Sequence, residues 1–188
     1  MTSELEVYVV LTDTGTLFTR TIKWFTKDAL NHASIAFDSG LNEVYSFGRK
    51  NPQNPFFAGF VRENMRGELF EQATCALYRC RIQPAAYAKM RSVIADMDRN
   101  SDQYRYNLIG VIGVMFNIQL IKRDYAYFCS EFVASVFEKS GVDLVNKSSF
   151  LVRPGDLENT PKLELVYEGR LQNLLNNRMD DEIGKRLA

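Results

Sequence analysis

Side chains with strong metal affinity are scarce in this chain. There is one histidine, His32, among 188 residues, together with three cysteines. Structural zinc sites draw most of their ligands from these two residue types, usually in closely spaced pairs. One histidine and no cysteine cluster argue against such a site, and we expect neither a metal nor a cofactor.

The cysteines also lack the spacing of a disulfide framework. Cys75 and Cys80 lie in a segment, Thr74 to Ile82, that reads as a β-strand. Because they are five positions apart on a strand, their side chains face opposite sides. Their Cα atoms are also farther apart than the separation of about 7 Å that a disulfide allows. We predict free structural thiols, which fits a reducing cytoplasm.

An excess of either charge is also missing: Lys+Arg and Asp+Glu both number 23. With no basic tract, nothing indicates a nucleic-acid partner. The first residues lack the basic and apolar regions of a signal peptide. The longest apolar run, Leu108 to Phe116, is too short to cross a bilayer. We therefore expect a cytoplasmic protein without a transmembrane segment.

The length and composition fit one globular domain covering residues 1–188. Hydrophobic residues make up 46% and charged residues 24% of the chain, as in ordinary folded domains. A chain of this length can bury a sizeable core. We find no internal repeat and no linker that would separate a second domain.

The segment after Tyr127 reads as a helix that begins at Cys129. Its apolar residues recur every three to four positions, the spacing of one buried helical face, at Cys129, Phe132, Val133, Val136 and Phe137. Cys129 would lie in the first turn, where the positive end of the helix dipole favours the nucleophilic thiolate. Glu131 is expected to point outward, about 200° around the helix. The alternative is a buried structural cysteine.

His32 lies in an alternating segment, Asn31 to Asp38. Ala33, Ile35 and Phe37 would form one face of a strand, with His32 on the smaller and more polar opposite face. A cysteine at a helix start and a histidine on a strand are the two parts that a cysteine hydrolase needs. The alternative is an ordinary surface or core histidine.

A hairpin should follow the histidine strand. Ser39 to Asn42 is a turn, and Glu43 to Phe47 returns with Val44, Ser46 and Gly48 on the histidine face. The prolines and glycines between Gly48 and Gly59 predict the longest loop of the chain. Residues 49–59 are a candidate rim over the site.

The remaining pattern predicts an α+β fold, an antiparallel sheet with packed helices. Leucine, methionine or isoleucine recurs every four positions from Leu171 to Leu187, which predicts a C-terminal amphipathic helix, 171–188. It would dock on the body or on a second copy as a homodimer. Further strands are predicted at Leu5–Leu11, Phe60–Arg66 and Leu163–Tyr167, helices at Leu17–Phe25, Pro84–Arg99 and Tyr104–Phe116, and a loop at Leu151–Leu157.

Taken together, the Asn31–Phe37 strand and the segment Tyr127-Phe-Cys-Ser-Glu-Phe-Val133 resemble the circularly permuted branch of the NlpC-type, papain-like cysteine hydrolases. In that branch, which includes lecithin–retinol acyltransferase-like enzymes and many bacterial proteins, the histidine precedes the cysteine. The likeness runs from about Val7 to Tyr167. It implies a permuted papain-like topology with an antiparallel sheet and helices on one side.

The resemblance also implies a third polar residue that orients the histidine. Ser46 is the position that matches, although acidic, amide or histidine side chains are more usual there. Glu43, Arg49 and Glu63 are reserve candidates for the polarity of the site.

The expected function is a cysteine hydrolase. His32 would take the proton of Cys129, and the thiolate would attack an acyl carbon to form a thioester. An amide or peptide bond is the first choice of substrate, in a small molecule or a peptide. The alternatives are a lipid acyltransferase or lipase on an acyl lipid, a thioesterase with the same pair, or a non-catalytic binding domain of the same fold.

Overall fold

The structure, a computed structural model, describes residues 3–15, 29–51, 54–106 and 126–178. Six strands form one antiparallel sheet in the order β4-β3-β2-β1-β5-β8. Their bounds are β1 Leu5–Asp13, β2 His32–Ala36, β3 Val44–Asn51, β4 Asn54–Arg62, β5 Thr74–Ile82 and β8 Glu164–Arg170. The predicted α+β fold with an antiparallel sheet is confirmed.

Helices cover both faces of this sheet, which corrects the expectation of helices on one side. Helices α1 (Pro84–Arg99) and α2 (Cys129–Lys139) pack on one face, against Val7, Val9 and Leu11. Residues 171–178 form helix α4, which packs on the other face against Tyr8 and Val10. Because both faces of β1 are covered, its central residues form an unbroken buried run.

In the β2–β3 hairpin the residues share faces as predicted. Ile35 is paired with Tyr45 and Ala36 with Val44. Side chains alternate between faces along a strand, so Ser46 and Gly48 share the face of His32. The Asp38 carboxylate closes the turn by accepting hydrogen bonds from the N–H groups of residues 42 and 43.

The prediction of a long loop between Gly48 and Gly59 is wrong. Strand β3 continues to Asn51 and β4 begins at Asn54, with Gly48 paired to Gly59. Gly59 is required by packing rather than by a turn, because a Cβ there would lie 2.7 Å from the main-chain oxygen of Tyr104. Strand β4 is at the edge of the sheet, where a proline is tolerated.

Two predicted helices fall mainly outside the described residues. The Leu17–Phe25 helix lies outside them entirely. At the start of the predicted Tyr104–Phe116 helix, Arg105–Tyr106 instead form a short strand, β6, that pairs in parallel with β7 (Ala126–Tyr127). The rest of that prediction lies outside the described residues.

The segment predicted as a loop at Leu151–Leu157 contains regular structure. A 3₁₀ turn at Ser149–Leu151 is followed by the short helix α3, Pro154–Glu158. Pro154 takes the first helical position, where its missing N–H group is harmless. The N–H group of Arg153 donates a hydrogen bond of 2.6 Å to the Asp156 carboxylate, which fixes the start of the helix.

The predicted C-terminal helix is confirmed over 171–178, and its remainder lies outside the described residues. Leu171, Leu174 and Leu175 are buried against the sheet of the same chain. The described part therefore docks on the body, and a homodimer through 171–188 stays a prediction. None of the helices among the described residues has the length and apolar character needed to cross a bilayer.

Replacing Leu175 by alanine should lower the free energy of unfolding by about 2 to 5 kcal/mol, because a fully buried side chain is removed. Leu165→Ala is the matched control. That side chain is 49% exposed on β8, and we expect a loss below about 0.5 kcal/mol. Urea titrations followed by circular dichroism measure both, and equal losses would contradict the docking of α4.

Candidate active site

Helix α2 begins at Cys129, as predicted, with Phe128 as its N-cap residue. The Cys129 side chain is largely buried, with 6% of its surface exposed. The N–H groups of a first helical turn have no acceptor within the helix. Cys129 therefore lies where main-chain donors and the helix dipole are available to a negative charge.

The expectation that Glu131 points outward is wrong. Its side chain is buried, and its carboxylate accepts a hydrogen bond of 3.3 Å from the N–H group of Phe128. Every residue of α2 from Cys129 to Phe137 is buried. One reason is that the 3₁₀ segment packs on this helix, where Ser130 donates a hydrogen bond of 2.6 Å to the Val152 carbonyl.

His32 and Cys129 lie close together in the structure. His32 is the first residue of β2, and its side chain is 17% exposed. The Cys129 thiol is close enough to the imidazole to contribute to its raised pKa. The Cys129 Sγ also lies 3.9 Å from the main-chain oxygen of Asn31, the residue before His32. The two candidate side chains therefore lie near each other at the N-terminal end of β2.

The side chain bonded to His32 is Glu63, at the place where Ser46 was predicted. The Glu63 Oε1 lies 2.7 Å from His32 Nε2, so Nδ1 is the ring nitrogen that Glu63 does not occupy. Ser46 instead donates a hydrogen bond of 2.8 Å to Glu63 Oε1. Ser34 donates one of 2.6 Å to Glu63 Oε2. The order of contacts is therefore thiol, imidazole, carboxylate, and then two hydroxyl groups.

The β3–β4 pairing explains how Glu63 reaches the histidine. Glu63 is the residue after the end of β4, and its N–H group donates a hydrogen bond of 2.9 Å to the Val44 carbonyl. This continues the register in which Tyr45 opposes Arg62. Glu63 consequently projects from the same face as Val44 and Ser46.

Gly48 leaves the room that this arrangement needs. A Cβ at Gly48 would lie 3.2 Å from Ser46 Oγ, 3.4 Å from Glu63 Oε1 and 3.5 Å from His32 Cε1. The first of these separations is tighter than an ordinary van der Waals contact. Any side chain at this position would crowd the hydrogen-bonded side chains around the imidazole.

The electrostatics of the site favour a charged histidine beside a charged carboxylate. Burial lowers the His32 pKa, but the Glu63 carboxylate and the contact with Cys129 outweigh it and raise that pKa from 6.5 to about 10. Burial raises the pKa of Glu63, yet the His32 charge and the hydrogen bonds from His32, Ser34 and Ser46 bring it below its ordinary value.

Glu43 bonds to other side chains, and the two remaining cysteines lie in the hydrophobic cores. Glu43 accepts hydrogen bonds from Arg91 at 2.7 Å and from Tyr45 at 2.9 Å, away from the imidazole. Arg49 is part of β3. Cys75 and Cys80 are free and buried in the cores on opposite faces of the sheet, as predicted. Burial raises the pKa of Cys75 to about 12 and also raises that of Cys80.

Glu63 was identifiable from the sequence only as one of several reserve residues. The signal that points to it is the continuation of β3–β4 pairing past Gly48 and Gly59. In the part of the chain that the structure describes, no group of three or more His, Cys, Asp or Glu side chains is arranged to hold a metal ion.

The imidazole titration tests this electrostatic arrangement directly, because His32 is the only histidine. Its ring signals in NMR spectra should titrate with a midpoint of about 10. Glu63→Gln removes the counter-charge while burial remains, so the pKa should fall toward or below 6.5. Glu43→Gln is the matched control and should leave it unchanged. A wild-type midpoint near 6.5 would contradict the ion pair.

Neither a family model nor a curated protein sequence matches this chain.

Proposed function

We propose that the protein is a cysteine hydrolase with the circularly permuted papain-like topology, acting on an amide or peptide bond. The observation that carries this proposal is the hydrogen bond between His32 and Glu63, with the Cys129 sulfur 3.9 Å from the main-chain oxygen of Asn31, the residue before His32. A nucleophile, a base and a residue that orients the base are the parts of a covalent acyl-transfer site. The histidine precedes the cysteine, which is the order of the permuted branch.

The first step in this mechanism is activation of the thiol. His32 takes the Cys129 proton, giving a thiolate beside an imidazolium ion. The Glu63 carboxylate, 2.7 Å from Nε2, supports this state because it neutralises the imidazolium and fixes the plane of the ring. Helix α2 adds its N-terminal dipole on the side of the sulfur.

The second step forms and breaks the acyl bonds. The thiolate attacks the acyl carbon, and the electron pair of the carbonyl moves to its oxygen. The N–H group of Cys129 stabilises this oxyanion. When the tetrahedral intermediate collapses, the C–N bond breaks, and His32 gives its proton to the leaving amine. Water, deprotonated by His32, then releases the acid from the thioester.

An amide is favoured as the substrate because an amine leaves poorly without a proton. In this site the imidazolium ion is the donor next to the sulfur, and Glu63 keeps it charged. The acyl and amine parts of the substrate are not specified by these residues. A small molecule and a peptide both present the bond that the mechanism requires.

Alkylation of the three cysteines tests the activation step. At pH 6.5 an ordinary thiol is only about 1% thiolate, so iodoacetamide should label an activated Cys129 far faster than the buried Cys75 and Cys80. His32→Ala should slow the labelling of Cys129 by roughly 10- to 100-fold, because the base is lost. Peptide mass spectrometry measures all three sites in one sample. Equal Cys129 rates in both proteins, with equal unfolding midpoints, would identify a core thiol.

Trapping of the thioester tests the reaction itself. Amide, oxygen-ester and thioester donors of one acyl group are incubated with the protein, and the intact mass is measured. We expect the acyl mass on Cys129, its removal by hydroxylamine, and no stable adduct in Cys129→Ala. Acylation by ester or thioester donors alone would favour a lipase, acyltransferase or thioesterase. No acylation, together with slow labelling, would indicate a binding domain.

A further inference from the structure

We propose that Ser34 and Ser46 are positioning residues that hold the Glu63 carboxylate ionised and in one orientation against His32. Their catalytic meaning rests on the function proposed above. Their structural effect can be measured on the folded protein without any substrate. Neither hydroxyl bonds directly to the thiol in this arrangement; both act through Glu63.

The geometry of the three hydrogen bonds restricts the carboxylate. Glu63 Oε1 is bonded to His32 Nε2 at 2.7 Å and to Ser46 Oγ at 2.8 Å. Glu63 Oε2 accepts from Ser34 Oγ at 2.6 Å. Rotation about the last bond of the Glu63 side chain would break at least one of these contacts. The two serines therefore define the plane in which the carboxylate meets the imidazole.

Burial makes these donors necessary. The Glu63 side chain is 6% exposed, and both serines are fully buried. Burial favours the neutral form of a carboxyl group, whereas hydrogen bonds to the ionised form favour the charge. Because hydroxyl groups are uncharged, they support the carboxylate without adding a second cation. His32 remains the cation that is bonded to Glu63.

Two other buried serines, Ser130 and Ser140, bond to main-chain groups instead. Ser130 donates to the Val152 carbonyl and Ser140 to the Val136 carbonyl, so both satisfy main-chain acceptors. Ser140 bonds within its own helix, which is a common local arrangement. Ser34 and Ser46 instead both donate to the Glu63 side chain, which is 29 positions from Ser34 and 17 positions from Ser46 along the chain.

The consequence is a site that should tolerate acid. The serine hydrogen bonds lower the pKa of Glu63, so this carboxylate keeps its charge to a lower pH than it would without them. When Glu63 does gain a proton, His32 loses its counter-charge. Removing the serines should therefore move the acid limb of activity to higher pH.

The single histidine provides the measurement, because its ring signals report the titration of the adjacent carboxylate as well as its own. We compare wild type, Ser34→Ala, Ser46→Ala and the double variant by NMR between pH 3 and 8. The acid inflection should rise by roughly one pH unit for each hydroxyl removed. Ser140→Ala, which removes a buried hydroxyl bonded to a helix carbonyl, should leave the inflection unchanged.

The outcomes separate this proposal from the proposed function. An unmoved acid inflection in both single variants would overturn the role of the serines, even if wild type forms a thioester. A raised inflection in a protein that forms no thioester would support that role and remove the hydrolase function. If the double variant does not fold, the two single variants decide the question. In an active enzyme, the acid limb of the acylation rate should move with the NMR inflection.

Discussion

The buried carboxylate of Glu63 is the constraint on which the organisation of this site depends. Removing an ionised group from water costs several kcal/mol, and the cost is offset only when charge and hydrogen-bond partners are well placed. Here the offset comes from His32, Ser34 and Ser46. Loss of one partner leaves the others around an incompletely satisfied charge, so these four side chains act as a unit.

The sheet accommodates this polar unit within a face that is otherwise apolar. Along β2 this face changes from polar residues, His32 and Ser34, to the apolar Ala36. Along β3, which runs in the opposite direction, it changes from Val44 to Ser46. The polar residues thus gather toward one end of the strands, while Ala36 and Val44 join the core that α4 covers. Core packing and polar chemistry therefore occupy different ends of one surface.

The sequence was informative where a short pattern determines the geometry. The alternation around His32 and the helical spacing after Cys129 each lie within about ten residues, and both elements were predicted. The hairpin turn then determined the face of Ser46. Predicting the position of Glu63 required the β3–β4 register. That register was not predicted because the prolines and glycines of the segment suggested a loop. Position 59 needs a glycine because the Tyr104 main chain approaches it, not because the chain turns there, and no local pattern reveals such a contact.

The burial of Glu131 is a second feature that the local sequence pattern did not predict. Helical spacing indicates which side of a helix is the most apolar, but it does not indicate how many sides are enclosed. Contacts from a later segment, such as that of Ser130 with Val152, contribute to burying the side that spacing assigned to solvent. A helix surrounded in this way is better described by its neighbours than by its amphipathicity.

The separation of the site's two halves along the chain has a consequence for folding. His32 and Glu63 are 31 positions apart within consecutive hairpins, whereas Cys129 docks beside Asn31 from 98 positions away. Local pairing closes at a lower entropic cost than distant pairing. During synthesis the base and its carboxylate emerge well before the sulfur. The proposed nucleophile meets its proposed base only when the late helix docks, so the candidate site is complete only after this late step of folding.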